Sequence, residues 1–168
     1  KIKMFGFPVR KKFRRVREEN RDVAGRLYKN GARPVFLLMS GSEGSRKLKK
    51  MAETLLDRFD CEVIIIAGRN RYARKMLKES LKPVYGDRIK VYGFINNVEH
   101  YMSISDVLIT RASPNVLMEA VYCNLPIIVT GAFFGQEEKN PDYVVNNNLG
   151  IHCGKMSELP VEVEKLLA

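Results

Sequence analysis

Short apolar runs recur along the chain, each followed by a polar or glycine-bearing loop and then by a longer stretch of helical spacing. This alternation restricts the fold more than any other feature of the sequence. The runs are Val35–Ser40, Glu62–Ala67, Ile89–Tyr92, Val107–Thr110 and Pro126–Val129, with a last, shorter one at Ile151-His152. Between the first two, Ser45–Phe59 carries Leu48, Met51, Ala52, Leu55 and Leu56 at three- and four-residue spacings, which predicts a helix with one apolar face. Helices are also predicted over Glu18–Asn30, Arg71–Leu81, Val98–Ile104, Val116–Cys123, Asn140–Asn147 and Glu158–Leu167. Near-continuously apolar strands separated by helices need cover on both faces. The expected fold is therefore α/β, a doubly wound, mainly parallel, Rossmann-like sheet. Ligands of such sheets bind beyond the carboxyl ends of the strands, so function is sought in the loops that follow them.

With 168 residues the chain makes about one domain, assigned to residues 18–168. Residues 1–17 stand outside the alternation: they hold a Pro, many Lys and Arg and no helical stripe, and read as a basic linker or edge segment arriving from an N-terminal domain. The chain is thus expected to be part of a longer protein. Its net charge is +10, and residues 1–30 alone carry 11 basic against 3 acidic side chains, whereas 91–168 carry 4 against 9. Such an excess calls for a polyanionic partner: nucleic acid, a membrane surface or a phosphate ligand. No apolar run approaches the roughly 18–20 residues that cross a bilayer. Three cysteines, Cys61, Cys123 and Cys153, form no CxxC pair, which argues against a disulfide framework and a zinc site and for a reducing, intracellular setting. His100 and His152 have no partners at metal-ligand spacing, and no Ser-His-Asp or Cys-His constellation is present.

Three loops offer chemistry. Gly41-Ser42-Glu43-Gly44 lies between a strand and a helix N-terminus, where free N–H groups and the helix dipole favour a phosphate, although its spacing is neither GxGxxG nor GxxxxGK[ST]. Ser113-Pro114-Asn115 precedes the helix bearing Glu119, whose carboxylate suits either solvent or the two hydroxyls of a ribose. Phe133-Phe134-Gly135-Gln136-Glu137 pairs an amide with a carboxylate, a combination that hydrogen-bonds vicinal hydroxyls of a sugar as readily as it decorates a surface loop.

The order of these loops, and above all RASPNVLMEA at 111–120 with LPIIVTGAFFGQEEKNPDYVVNNNLG at 125–150, resembles the monogalactosyldiacylglycerol synthases and the bacterial diacylglycerol glucosyltransferases. The peptidoglycan N-acetylglucosamine transferase is a more distant likeness. All are inverting GT-B glycosyltransferases, and the resemblance covers essentially the whole chain, down to Phe-Gly-Phe-Pro-Val-Arg at its start. It implies a C-terminal domain that binds a UDP-sugar donor, UDP-glucose or UDP-galactose. By that resemblance Gly41, Ser42, Glu43 and Gly44 approach the phosphates, with Ser113 and Asn115 as further polar groups. Phe94, Ile95 and Val98 hold the uracil, Glu119 the ribose, and Gln136, Glu137 and Asn140 the sugar. Arg69 and Asn70 occupy an equivalent turn of less definite role.

The resemblance departs at Ser113-Pro114-Asn115-Val116, where the family tends to carry Gly-Pro-Gly-Thr, so a weaker diphosphate contact or an altered donor choice is expected. The same family likeness implies no cofactor and no obligatory metal, since helix dipoles and N–H groups meet the charge of departing UDP. The catalytic base and the lipid acceptor site belong to the N-terminal domain, so this piece alone is expected to be inactive. Partners implied are the UDP-sugar, a diacylglycerol acceptor and an anionic membrane surface, with no nucleic acid, and the location is cytoplasmic and peripheral on the membrane's cytoplasmic face. Rival readings are a UDP-N-acetylglucosamine-using transferase or 2-epimerase of the same fold, and a basic nucleic-acid-binding module.

Overall fold

The computed structural model describes residues 3, 6–14, 33–39 and 45–167. The expected helix Glu18–Asn30 and the glycine loop Gly41–Gly44 lie outside the described residues. Six strands form one all-parallel sheet: β1 (Val35–Met39), β2 (Glu62–Ile66), β3 (Ile89–Tyr92), β4 (Val107–Thr110), β5 (Ile127–Val129) and β6 (Gly150–His152). Their order is β3-β2-β1-β4-β5-β6, so the chain reverses its direction of winding between β1 and β4. That reversal leaves a crevice above the strand ends, the usual ligand position of a doubly wound sheet.

Alternate side chains of each strand serve opposite faces, as a period of two requires. Phe36, Leu38, Val63, Ile65, Val107 and Ile109 join one core with Leu48, Met51, Ala52, Leu55 and Leu56 of α1 (Ser45–Arg58), Leu77 and Leu81 of α2 (Arg71–Tyr85) and Leu159 and Val163 of α6 (Leu159–Leu167). Leu37, Ile64, Ile66, Leu108, Ile127 and Val129 face the other core, with Val98 and Met102 of α3 (Val98–Ser103), Leu117 and Ala120 of α4 (Pro114–Tyr122) and Val144 of α5 (Asn140–Asn146). Burying both faces of every central strand is why those strands read as apolar throughout.

Two boundaries shift by two residues or more, for physical reasons. Helix α2 runs past Leu81 to Tyr85 with Pro83 in its last turn, where Pro removes a hydrogen bond without cutting the helix short, and Gly86 at φ 58° closes it by donating to the Lys82 carbonyl. Helix α4 starts at Pro114 instead of Val116, because Pro is pre-set for the first helical position and Ser113 in extended conformation stands before it. At the sheet edge, Gly150 sits so close to the Ile127 carbonyl that any Cβ would collide with backbone, so β6 can pair with β5 only through glycine there.

The described part of the N-terminal segment, residues 6–14, adds no strand to the sheet. Instead it ends in a helical turn at 12–14 whose Phe13 is fully buried in the core beneath α3 and α4. An aromatic side chain in a run of basic residues gains more from that core than a strand edge offers, which fastens the segment across the domain.

Candidate functional site

A cavity of about 310 Å³ opens above the β1–β4 reversal. Met39, Ile66 and Thr110 at the strand ends form its floor, and the Thr110 hydroxyl donates to the Met39 carbonyl at 2.6 Å, locking those two ends together. Gly68, held at φ 65° in the turn after β2, lines it without a side chain. Phe94, Ile95 and Val98 come from the loop after β3 and the first turn of α3, and all three line the cavity, which brings the expected uracil residues together. Ser113, Val116 and Glu119 line the opposite wall, because residues three apart share one face of α4.

Glu119 is buried, with 7% of its surface exposed. A buried carboxylate needs a partner, and it finds one outside its own neighbourhood in the chain. Arg10 Nε donates to Oε1 at 2.6 Å and an Arg10 terminal nitrogen donates to Oε2 at 3.0 Å, a bidentate ion pair across 109 positions. That hydrogen bond is the main reason the Arg10 guanidinium is held even more firmly protonated than usual, against the opposing effect of burial. Sequence reasoning missed Arg10: it sits in the basic run, where nothing distinguishes it from solvated neighbours. Beneath Glu119, burial first and the carboxylate's charge second push the Cys123 thiol up to about 12.

The other expected residues divide. Ser113 reaches the cavity, whereas Asn115 lines a neighbouring recess with Phe7, Pro8, Arg10 and Glu119. Asn70 caps α2, its Oδ1 accepting from the Ala73 N–H at 2.9 Å, and Arg69 lies with its guanidinium carbon 4.7 Å from the centre of the Phe94 ring at the cavity mouth. Gln136 is exposed on the loop after β5. Glu137 is not: it is 6% exposed and forms an ion pair with Arg111 at 2.8 Å, while its Oε2 accepts from the Phe133 N–H at 3.0 Å. The Arg111 guanidinium lies 3.7 Å from the centre of the Phe133 ring. Glu137 thereby ties down the loop that carries Gln136. Asn140 likewise faces the domain, donating to the Ala112 carbonyl at 2.8 Å. The Arg111 partner was visible in RASPNV as a motif residue but carried no assigned role. Among the described residues no group of His, Cys, Asp and Glu is arranged to hold a metal ion, and no helix is long and apolar enough to cross a membrane.

A parallel sheet in this order, with a cavity and a buried acidic residue over its reversal, defines a doubly wound, Rossmann-like α/β domain. Solved structures agree on the fold. MurG of Acinetobacter baumannii superposes with a TM-score of 0.68 at 14% identity, over 87% of this chain and 44% of that one. An S. aureus MnaA-UDP co-structure gives 0.61 at 16% identity, over 90% of this chain and 40% of that one. Residues 35–167 match the glycosyltransferase family 28 C-terminal domain, and the chain belongs to that family. It is 35% identical to monogalactosyldiacylglycerol synthase 1 of Arabidopsis thaliana over 99% of its own length and 32% of the relative's. It is also 28% identical to the processive diacylglycerol beta-glucosyltransferase of Bacillus subtilis, over 99% of this chain and 44% of that protein. The chain thus spans about a third of the length of the plant synthases it matches.

Proposed function

We propose that this domain binds the UDP-hexose donor, UDP-glucose or UDP-galactose, of an inverting glycosyltransferase that transfers the hexose to diacylglycerol. The observation that carries the reading is the buried Glu119 carboxylate on the wall of a cavity whose other wall is Phe94, Ile95 and Val98. An apolar slot fits a flat base, and an acceptor-only carboxylate beside it fits a vicinal diol. The names of the glycolipid-synthesising relatives and the UDP held by a protein of the same fold support the same choice. Departing UDP is stabilised by N–H groups and helix dipoles at the strand ends, without an obligatory metal, while the base and the acceptor site come from an N-terminal domain. The domain by itself therefore binds donor and transfers nothing.

Calorimetric titration with UDP, UDP-glucose and UDP-galactose tests this. Binding of UDP that weakens roughly tenfold to a hundredfold in Glu119→Ala is the expected result, and no binding by the wild type, or binding unchanged by the substitution, overturns the assignment. The 25 basic residues of 1–90, set against 10 acidic ones, further suit a peripheral position on an anionic membrane, each well-placed Lys or Arg contributing about 1 kcal/mol. Co-sedimentation with vesicles should rise with anionic lipid and fall with salt; indifference to both removes the membrane from the proposal.

A further inference from the structure

We infer that Arg10 is a positioning residue for the donor, fixing the Glu119 carboxylate so that an oxygen site left open beside the guanidinium accepts a ribose hydroxyl; this rests on the nucleotide reading above. The bidentate contact takes one lone pair from each carboxylate oxygen, at 2.6 and 3.0 Å. An ionised carboxylate offers about four such sites, so each oxygen keeps one, directed away from the guanidinium, that a ribose hydroxyl can use. Neutral hydroxyls also cannot balance the negative charge of a side chain only 10% exposed, so the guanidinium remains necessary when the ligand is bound. Arg10 is itself well placed to stay. Its guanidinium carbon is 5.1 Å from the centre of the fully buried Phe13 ring, and its side chain is half exposed and lies along the cavity wall without filling the cavity. Free rotation of Glu119 would let one oxygen turn away from the sugar, and the planar fork of arginine removes that freedom in a way a lysine does not.

The test titrates the chain and its Arg10→Ala and Arg10→Lys variants with UDP and with 2′-deoxy-UDP. Thermal unfolding confirms that each variant is folded, and Arg10→Lys, which retains the charge, serves where Arg10→Ala unfolds. The wild type should favour UDP over the deoxy compound. Arg10→Ala should weaken UDP binding tenfold or more and bring the two ligands to within a factor of about two of each other, with Arg10→Lys recovering part of the affinity but not the discrimination. Unchanged or tighter UDP binding in Arg10→Ala overturns the inference, the tighter case making Arg10 a plug in the ribose position. A loss shared equally by both ligands also overturns it, leaving Arg10 a general source of charge. If the wild type binds neither compound, the nucleotide reading itself fails, an outcome distinct from a wild type that binds and a variant that does not differ.

Discussion

Two buried glutamates at the same end of the sheet, Glu119 and Glu137, each meet an arginine, and the two pairs differ in what surrounds the cation. The Glu137 partner, Arg111, has a side chain only 13% exposed, is 26 positions away and lies against Phe133. The Glu119 partner, Arg10, is 53% exposed and comes from a segment at the far end of the chain. One pair is closed on both sides; the other is closed on the protein side and open on the cavity side. A carboxylate whose oxygens serve its own loop holds architecture, whereas one with lone pairs facing a cavity is available to a ligand. That contrast separates two residues alike in type and burial.

The largest expected effect comes from breaking the closed pair. Glu137→Ala should cost about 3–5 kcal/mol in a urea unfolding series, since a buried guanidinium loses its carboxylate. Glu119→Ala should cost no more than about 1 kcal/mol of stability, because the half-exposed Arg10 can turn to water. Equal losses for the two variants would erase the distinction. In binding the order reverses. Glu119→Ala should weaken UDP by about 1.5–3 kcal/mol, roughly tenfold to a hundredfold, measured calorimetrically.

A smaller effect is the response to alkali. Cys123 is held at about 12 and Cys61 at about 11, in both cases chiefly by burial, while an unfolded thiol ionises near 9. Below pH 9 both states keep the proton and the pH has no influence through these groups. Above it the unfolded chain releases protons first, so stability should fall with rising pH from about 9 to 12, by at most about 1.4 kcal/mol per pH unit for each thiol. Urea midpoints that stay level across that range would contradict the burial assigned to both cysteines. The smallest effect joins the two themes: Glu119→Gln should lower the Cys123 pKa only slightly, read from thiolate ultraviolet absorbance, because the charge of Glu119 ranks second to burial there.

Most of the architecture was legible. The runs Glu62–Ala67 and Val107–Thr110 announce buried parallel strands, and the leucine stripe of Ser45–Phe59 appears as the buried face of α1 with the same residues. The grouping of Phe94, Ile95, Val98 and Glu119 also emerged, since each follows a strand end and the strand ends converge. What periodicity does not register is direction within a loop. Glu137 and Asn140 face the domain and Gln136 faces water, although all three read as equal polar candidates.

Sequence by itself determined the fold class and the end of the sheet where the cavity opens. Apolar periodicity and turn residues are local properties, and a parallel sheet has few ways to bury them. Only the tertiary structure decided which arginine meets which carboxylate. Ion pairs form between chain positions brought together by packing, and the separation of 109 positions between Arg10 and Glu119 carries no trace of that meeting. Burial of Phe13 draws the basic segment over the cavity, and through it a residue that looked like one more surface charge becomes part of the site.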